Sequence, residues 1–225
     1  MCRVHPRFVE EYDGFTEIAL SLSCPAAAEL IVTTEYDISS AYPVPEADTD
    51  DDVLLLLIRS RADLLSGQMQ LFDCVRALTE KASGDEEKIN SFIISSGYEP
   101  DVNAVKAYVI NHLSRCEILS SAWTELLKNT ATTEITDEEY KSFIVSNEKE
   151  LRNILYYYIY RYYLKSVNDL DVYTRTLFII YSVFVTALIA VTNNFSVCEA
   201  ARLYSKEIEH STKNTDIIFE SLCEY

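Results

Sequence analysis

The chain predicts an all-α protein, an irregular multi-helix bundle, and three observations carry that reading. Apolar residues recur at three- and four-residue spacing through its periodic segments, and no strand alternation persists. Gly at 4 and Pro at 5 are too scarce to punctuate a β-sandwich, a barrel or a Gly-rich phosphate loop. A length of 225 residues with 48% hydrophobic and 24% charged content is ordinary globular composition, enough to bury a sizeable core.

Taken in order, Cys24-Pro25 opens a helix running to about Thr33, because proline suits the first helical turn. Residues 39–52 hold Pro43, Pro45 and the run Asp48-Thr49-Asp50-Asp51-Asp52, which reads as a solvated acidic linker between residues 1–38 and a helical domain, 53–225. Asp50 or Asp51 caps the next helix, whose apolar face is Leu54, Leu55, Ile58, Ala62 and Leu65 and which breaks at Ser66-Gly67. Leu71, Cys74, Val75 and Leu78 mark another, stopping near Ser83-Gly84, and Ile89, Phe92, Ile93 and Gly97 a short one. Asp101 starts a helix with Val105, Tyr108, Val109, His112 and Leu113 inward, continuing through Trp123, Leu126 and Leu127. Thr136 and Glu139 form a capping box for a helix to about Val145. From Glu148 to Lys165 tyrosines cover both faces, so both must meet protein or a ligand. An apolar helix ending near Thr192, a helix capped by Ser196 and running through His210, and a short terminal helix from about Asn214 complete the set.

A net charge of −17 repels phosphate backbones and anionic lipid, and no Lys/Arg stripe offsets it. Nucleic acid is disfavoured as a partner, while a lysine-bearing protein is electrostatically suited. The uncharged run Leu177 to Val191 is shorter than the roughly 20 residues that span a bilayer, so it reads as a core helix and no membrane is expected. Six cysteines without a close pair or a signal peptide read as reduced thiols of a cytoplasmic protein. Cys74, Cys116 and Cys198 fit as small core hydrophobes.

Three groups of residues could carry chemistry. Cys2 and Cys24 are candidate metal ligands, the latter at a helix N-terminus that favours a thiolate; as two thiols are not a metal site, they read as half of one, or as ordinary thiols. Tyr157, Tyr160 and Arg161 fall on neighbouring faces of the tyrosine-rich helix, where rings can take an ammonium or an adenine face and a guanidinium can take a carboxylate, or where they simply build a core. Tyr204, Glu207 and His210 lie at i, i+3 and i+6 and could shuttle a proton, or be surface contacts. The chain has no GxG turn of a Rossmann methyltransferase, no P-loop and no Ser-His-Asp arrangement.

Cys2-Arg3-Val4-His5-Pro6-Arg7, Ser21-Leu22-Ser23-Cys24-Pro25-Ala26-Ala27-Ala28-Glu29, the helix from Leu151 to Arg161 and the segment from Ala201 to Ser211 together resemble the flagellin lysine-N-methylase family, in order and in rough spacing. The resemblance implies a helical body that transfers methyl groups from S-adenosylmethionine to lysine side chains of flagellin. By the same resemblance Tyr204, Glu207 and His210 are catalytic candidates, and Tyr157, Tyr160 and Arg161 cofactor-binding candidates. Cys2 and Cys24 belong to a cysteine cluster for an iron–sulfur centre or zinc. Residues 1–38 are then expected to be the remnant of a cysteine-rich region and Met1 a clipped start. The rival expectation is a non-catalytic, acidic, all-helical interaction module. In the enzymatic reading the tyrosine helix and the Tyr204–His210 face line one concave surface with the N-terminal cysteines at its rim, and removing Glu207 and Tyr157 abolishes flagellin methylation while leaving stability nearly unchanged.

Overall fold

A computed structural model describes residues 7–35, 37–66, 69–82 and 99–223. Cys2, His5 and the short helix expected around Ile89–Gly97 lie outside them. Among the described residues eleven α-helices and a single two-stranded sheet are found, so the mostly helical expectation holds.

The hairpin is a correction. Strands β1 (Arg7–Tyr12) and β2 (Phe15–Leu20) pair antiparallel from Arg7 opposite Leu20 to Tyr12 opposite Phe15. Asp13-Gly14 makes the turn, with Gly14 at φ +79°, a conformation that glycine adopts without a steric penalty. A Cβ there would also collide with the backbone of Asp48. The acidic segment is therefore laid against the turn, where Thr49 also donates to the Asp13 carboxylate.

Helix α1 (Pro25–Thr33) begins at Cys24 as expected, and α2 (Ile38–Ala41) is one turn capped by Asp37. Asp51 accepts from the amides of Val53 and Leu54 to start α3 (Asp52–Ser66), and α4 (Leu71–Lys81) buries Leu71, Cys74, Val75 and Leu78. The helix expected from Asp101 through Leu127 is instead two, α5 (Val102–Leu113) and α6 (Ser121–Thr132). Side chains from far along the chain satisfy the backbone between them. Asn214 accepts from the Glu117 amide at 2.7 Å and Glu207 from the Leu119 amide at 2.8 Å, replacing bonds a continuous helix would have made. The Thr136–Glu139 capping box starts α7 (Asp137–Ser146).

Helix α8 (Glu148–Tyr162) is buried almost all round from Leu151 onward, and a 3₁₀ segment (Tyr163–Asn168) follows it. Helix α9 (Val172–Asn193) is longer than its uncharged run suggested. By length and composition it could cross a membrane, but 89% of its most apolar window is buried within the protein, and it packs against α4, α6, α7 and α8 and the two helices that follow. Those are α10 (Val197–Ile208), capped by Ser196, and α11 (Thr212–Cys223). Asn194, at φ 53°, ends α9 in the left-handed conformation that asparagine tolerates. Helix α1 lies across α8 and α10, which brings the hairpin region to the tyrosine helix.

Candidate functional site

Where β2, α1, α2 and α8 meet, the chain forms a cleft of about 380 Å³. Strand β2 supplies Ile18, Ala19 and Leu20, and α1 supplies Leu30 and Ile31; none of the lining side chains is charged. Tyr42 faces Tyr160 with ring centroids 5.0 Å apart, and Tyr157 completes the aromatic wall. Two of the three residues expected to bind a cofactor thus share one cleft. Arg161 does not line it. Its Nε lies 2.7 Å from Glu209, and its guanidinium sits 3.9 Å over the ring of Phe8 in β1.

Tyr157 and Tyr160 are each held from behind by a buried ion pair. Glu209 accepts from the Tyr157 hydroxyl at 3.2 Å and the Tyr162 hydroxyl at 2.9 Å while paired with Arg161. Arg61 pairs with Glu17, donates to the Tyr160 carbonyl at 3.0 Å and stacks 4.5 Å over the Tyr160 ring. Burial, reinforced by Glu17, pushes the Tyr160 phenol up to about 12. Burial and then Glu209 raise Tyr157 well above the usual phenol range. At neutral pH both are therefore neutral phenols that give the cleft aromatic rings, and neither is a base.

Tyr204, Glu207 and His210 do not share this surface or one another's. Tyr204 is fully buried and reaches Ser182 of α9 at 3.2 Å. Glu207 is 2% exposed and holds the Leu119 amide. His210 is exposed, with Nε2 2.6 Å from the Ser23 hydroxyl just before α1. The expected single concave face is absent, because α10 ends at Ile208 and leaves His210 beyond it, while Tyr204 packs on α9 and Glu207 is turned to the connection between α5 and α6. Replacing Glu207 by alanine should strand the Leu119 amide in a partly buried position and cost about 1–3 kcal/mol. Urea denaturation of Glu207→Ala checks this, and an unchanged midpoint would refute it.

Cys24 is half-buried at the start of α1 and is not among the cleft residues. Among the described residues no group of three His, Cys, Asp or Glu side chains is placed to hold a metal ion. Cys24 alone does not make a ligand set for zinc or an iron–sulfur centre. Cys74 and Cys116 are buried and protonated, burial pushing them up to about 12 and about 11. Sequence reasoning missed Glu17, Arg61 and Tyr42. The turn signal Asp13-Gly14 between Val9/Glu11 and Thr16/Ile18 could have revealed the hairpin that carries Glu17.

One family model, described as the FliB lysine N-methylase C-terminal domain, matches residues 54–224. No curated protein and no solved structure matches the chain. The match includes α8, with Tyr157 and Tyr160, whereas the hairpin, α1 and Tyr42, which form the cleft's other walls, precede it. The match spans most of the chain, and the protein belongs to the FliB lysine N-methylase C-terminal domain family.

Proposed function

We propose that this chain is the helical body of a cytoplasmic protein-lysine N-methylase that uses S-adenosylmethionine and acts on flagellin, and that the cleft under the hairpin receives the adenosyl and sulfonium portion of the cofactor. The observation that carries the reading is the convergence of Tyr157 and Tyr160, from the family-matched helix, with Tyr42 on one apolar cleft. The fit is chemical: aromatic faces suit a flat nucleobase and attract a sulfonium, and an uncharged lining excludes water. S-adenosylmethionine supplies an electrophilic methyl group when bound. The chain's own part is positioning. The Glu209–Arg161 and Glu17–Arg61 pairs hold the two phenols in place and Arg161 ties the hairpin over α8 through Phe8. A net charge of −17 favours approach of a cationic lysine. Of the three groups expected to handle its proton, only His210 is exposed, and it alone keeps that role in this proposal. The described residues do not fit an iron–sulfur centre or zinc, and no step is assigned to either.

The test is transfer of label from methyl-labelled S-adenosylmethionine to purified flagellin, with Tyr160→Leu as the variant because it keeps an apolar side chain in the wall. We expect label in lysine for the native chain and at least a tenfold lower kcat/KM for Tyr160→Leu with its helical signal intact. Flagellin binding with no label would favour the interaction module. Undiminished transfer by Tyr160→Leu would place the site elsewhere.

A further inference from the structure

Beside the apolar cleft, and sharing Thr34 with it, lies a polar recess of about 570 Å³. Its chemistry is different. Helix α8 contributes Lys149, Arg152 and Asn153, and the connection between α1 and α2 contributes Glu35 and Asp37. Two cations therefore face two carboxylates. An anion such as phosphate would meet Glu35 and Asp37, and a simple cation would meet Lys149 and Arg152. A ligand bearing both charges on groups attached to one carbon satisfies both sides, and the α-amino-acid zwitterion is the common biological example.

The polar groups are partly held and partly available. Asn153 is 6% exposed and donates to the Val32 carbonyl at 2.9 Å, which fixes the floor of the recess to the end of α1. Arg152 makes only a long contact, 3.7 Å, with Glu148, and its Nε is buried without a hydrogen-bond partner among the described residues. Lys149 and Glu35 pair at 2.9 Å across the mouth, with side chains 42% and 87% exposed. An exposed pair of this kind is worth little and can open to admit a ligand carrying the same two charges.

Position joins the recess to the cleft. Lys149, Asn153, Tyr157 and Tyr160 follow at four-, four- and three-residue steps along one face of α8, a stripe of roughly 16 Å at 1.5 Å per residue. We infer that the recess is an aminocarboxylate site, in which Arg152 and Lys149 take the carboxylate and Glu35 the ammonium of the methionine end of S-adenosylmethionine, beside the Asp37 carboxylate that is held by Ser39 and Ser40 at the start of α2, its adenosyl end lying in the aromatic cleft. This rests on the function proposed above and reassigns the carboxylate contact from Arg161, committed to Glu209, to Arg152.

Calorimetric binding of three probes to the full chain separates the two claims without using turnover. S-adenosylhomocysteine carries both ends, 5′-methylthioadenosine lacks the aminocarboxylate, and methionine lacks the nucleoside. We expect the native chain to bind S-adenosylhomocysteine at least tenfold more tightly than 5′-methylthioadenosine. Arg152→Ala should abolish that difference while leaving 5′-methylthioadenosine within twofold, and Lys149→Met, at a more exposed position, should narrow it two- to fivefold without altering the helical signal. Equal binding of the two nucleosides to the native chain, or equal weakening of both by Arg152→Ala, overturns the recess assignment and leaves the cleft reading standing. Methionine binding lost in Arg152→Ala, with neither nucleoside bound, supports the aminocarboxylate site for a free amino acid and overturns the cofactor reading. Binding of none of the three overturns both.

Discussion

Raising the pH above about 10 is expected to unfold this protein over a narrow range, with its buried tyrosines ionising as it unfolds. Tyr140, Tyr157, Tyr158, Tyr162, Tyr181 and Tyr204 are all buried. Burial raises each phenol above its ordinary value of 10, with Glu209 adding to it at Tyr157, Tyr158 and Tyr162. A phenol raised in this way keeps its proton in the native state at a pH where the unfolded chain has released it. Its stabilising contribution is thus complete below about pH 10 and is lost as pH rises beyond that. Each group adds a slope that approaches about 1.4 kcal/mol per pH unit, so several together exhaust a stability of about 5–15 kcal/mol within roughly two units. Loss of lysine charge from a chain already at −17 acts in the same direction. Tyrosinate absorbance followed alongside far-UV circular dichroism checks this. Tyrosinate absorbance from these six buried phenols should appear together with the loss of the helix signal and not before it. Ionisation of all 16 tyrosines near pH 10 with the helices preserved would refute the account.

These phenols also show what could be read in the chain and what could not. The helices were legible wherever local chemistry decides them: the Thr136–Glu139 box, the Ser196 cap, and the four-residue rhythm of Leu71, Cys74, Val75 and Leu78. The break after Leu113 was not, because Asn214 and Glu207, almost a hundred residues away, supply the bonds that stop the helix. Tyr157 and Tyr160 stood out from their aromatic setting, and they do line the cleft. Arg161, their neighbour, looked equally suitable. Its fate depends on Glu209 and Phe8, and no local pattern announces a pairing across 48 residues with one partner and across 153 with the other. Likewise the spacing of Tyr204, Glu207 and His210 suggested one face, while packing of α10 between α1 and α9 sends them apart.

The largest effect of a single substitution is expected at Glu209, whose side chain is 1% exposed. Its carboxylate neutralises Arg161 and accepts from the hydroxyls of Tyr157 and Tyr162. Burial opposes the guanidinium charge of Arg161, and Glu209 together with Tyr157 and Tyr162 outweighs that opposition. Glu209→Ala removes the compensation and leaves a buried cation beside two phenols that have lost the carboxylate they donate to. Breaking a buried pair from one side costs about 3–5 kcal/mol. In a chain of this size that lowers Tm by roughly 10 °C or more. The pair is not itself a large source of stability, since withdrawing both charges from water offsets most of their attraction. The double replacement Arg161→Met with Glu209→Leu should therefore recover much of the loss. It should not restore the cleft. Arg161 over Phe8 helps tie β1 to α8 alongside the edge-on Phe8–Tyr157 contact, and the Glu209 carboxylate holds the Tyr157 hydroxyl behind the cleft wall. Urea denaturation of the single and double variants measures the first part, and binding of S-adenosylhomocysteine to the double variant the second. A single variant as stable as the native chain would show that Arg161 finds another counter-charge. A double variant that binds like the native chain would show that the wall of the cleft stands without the pair behind it.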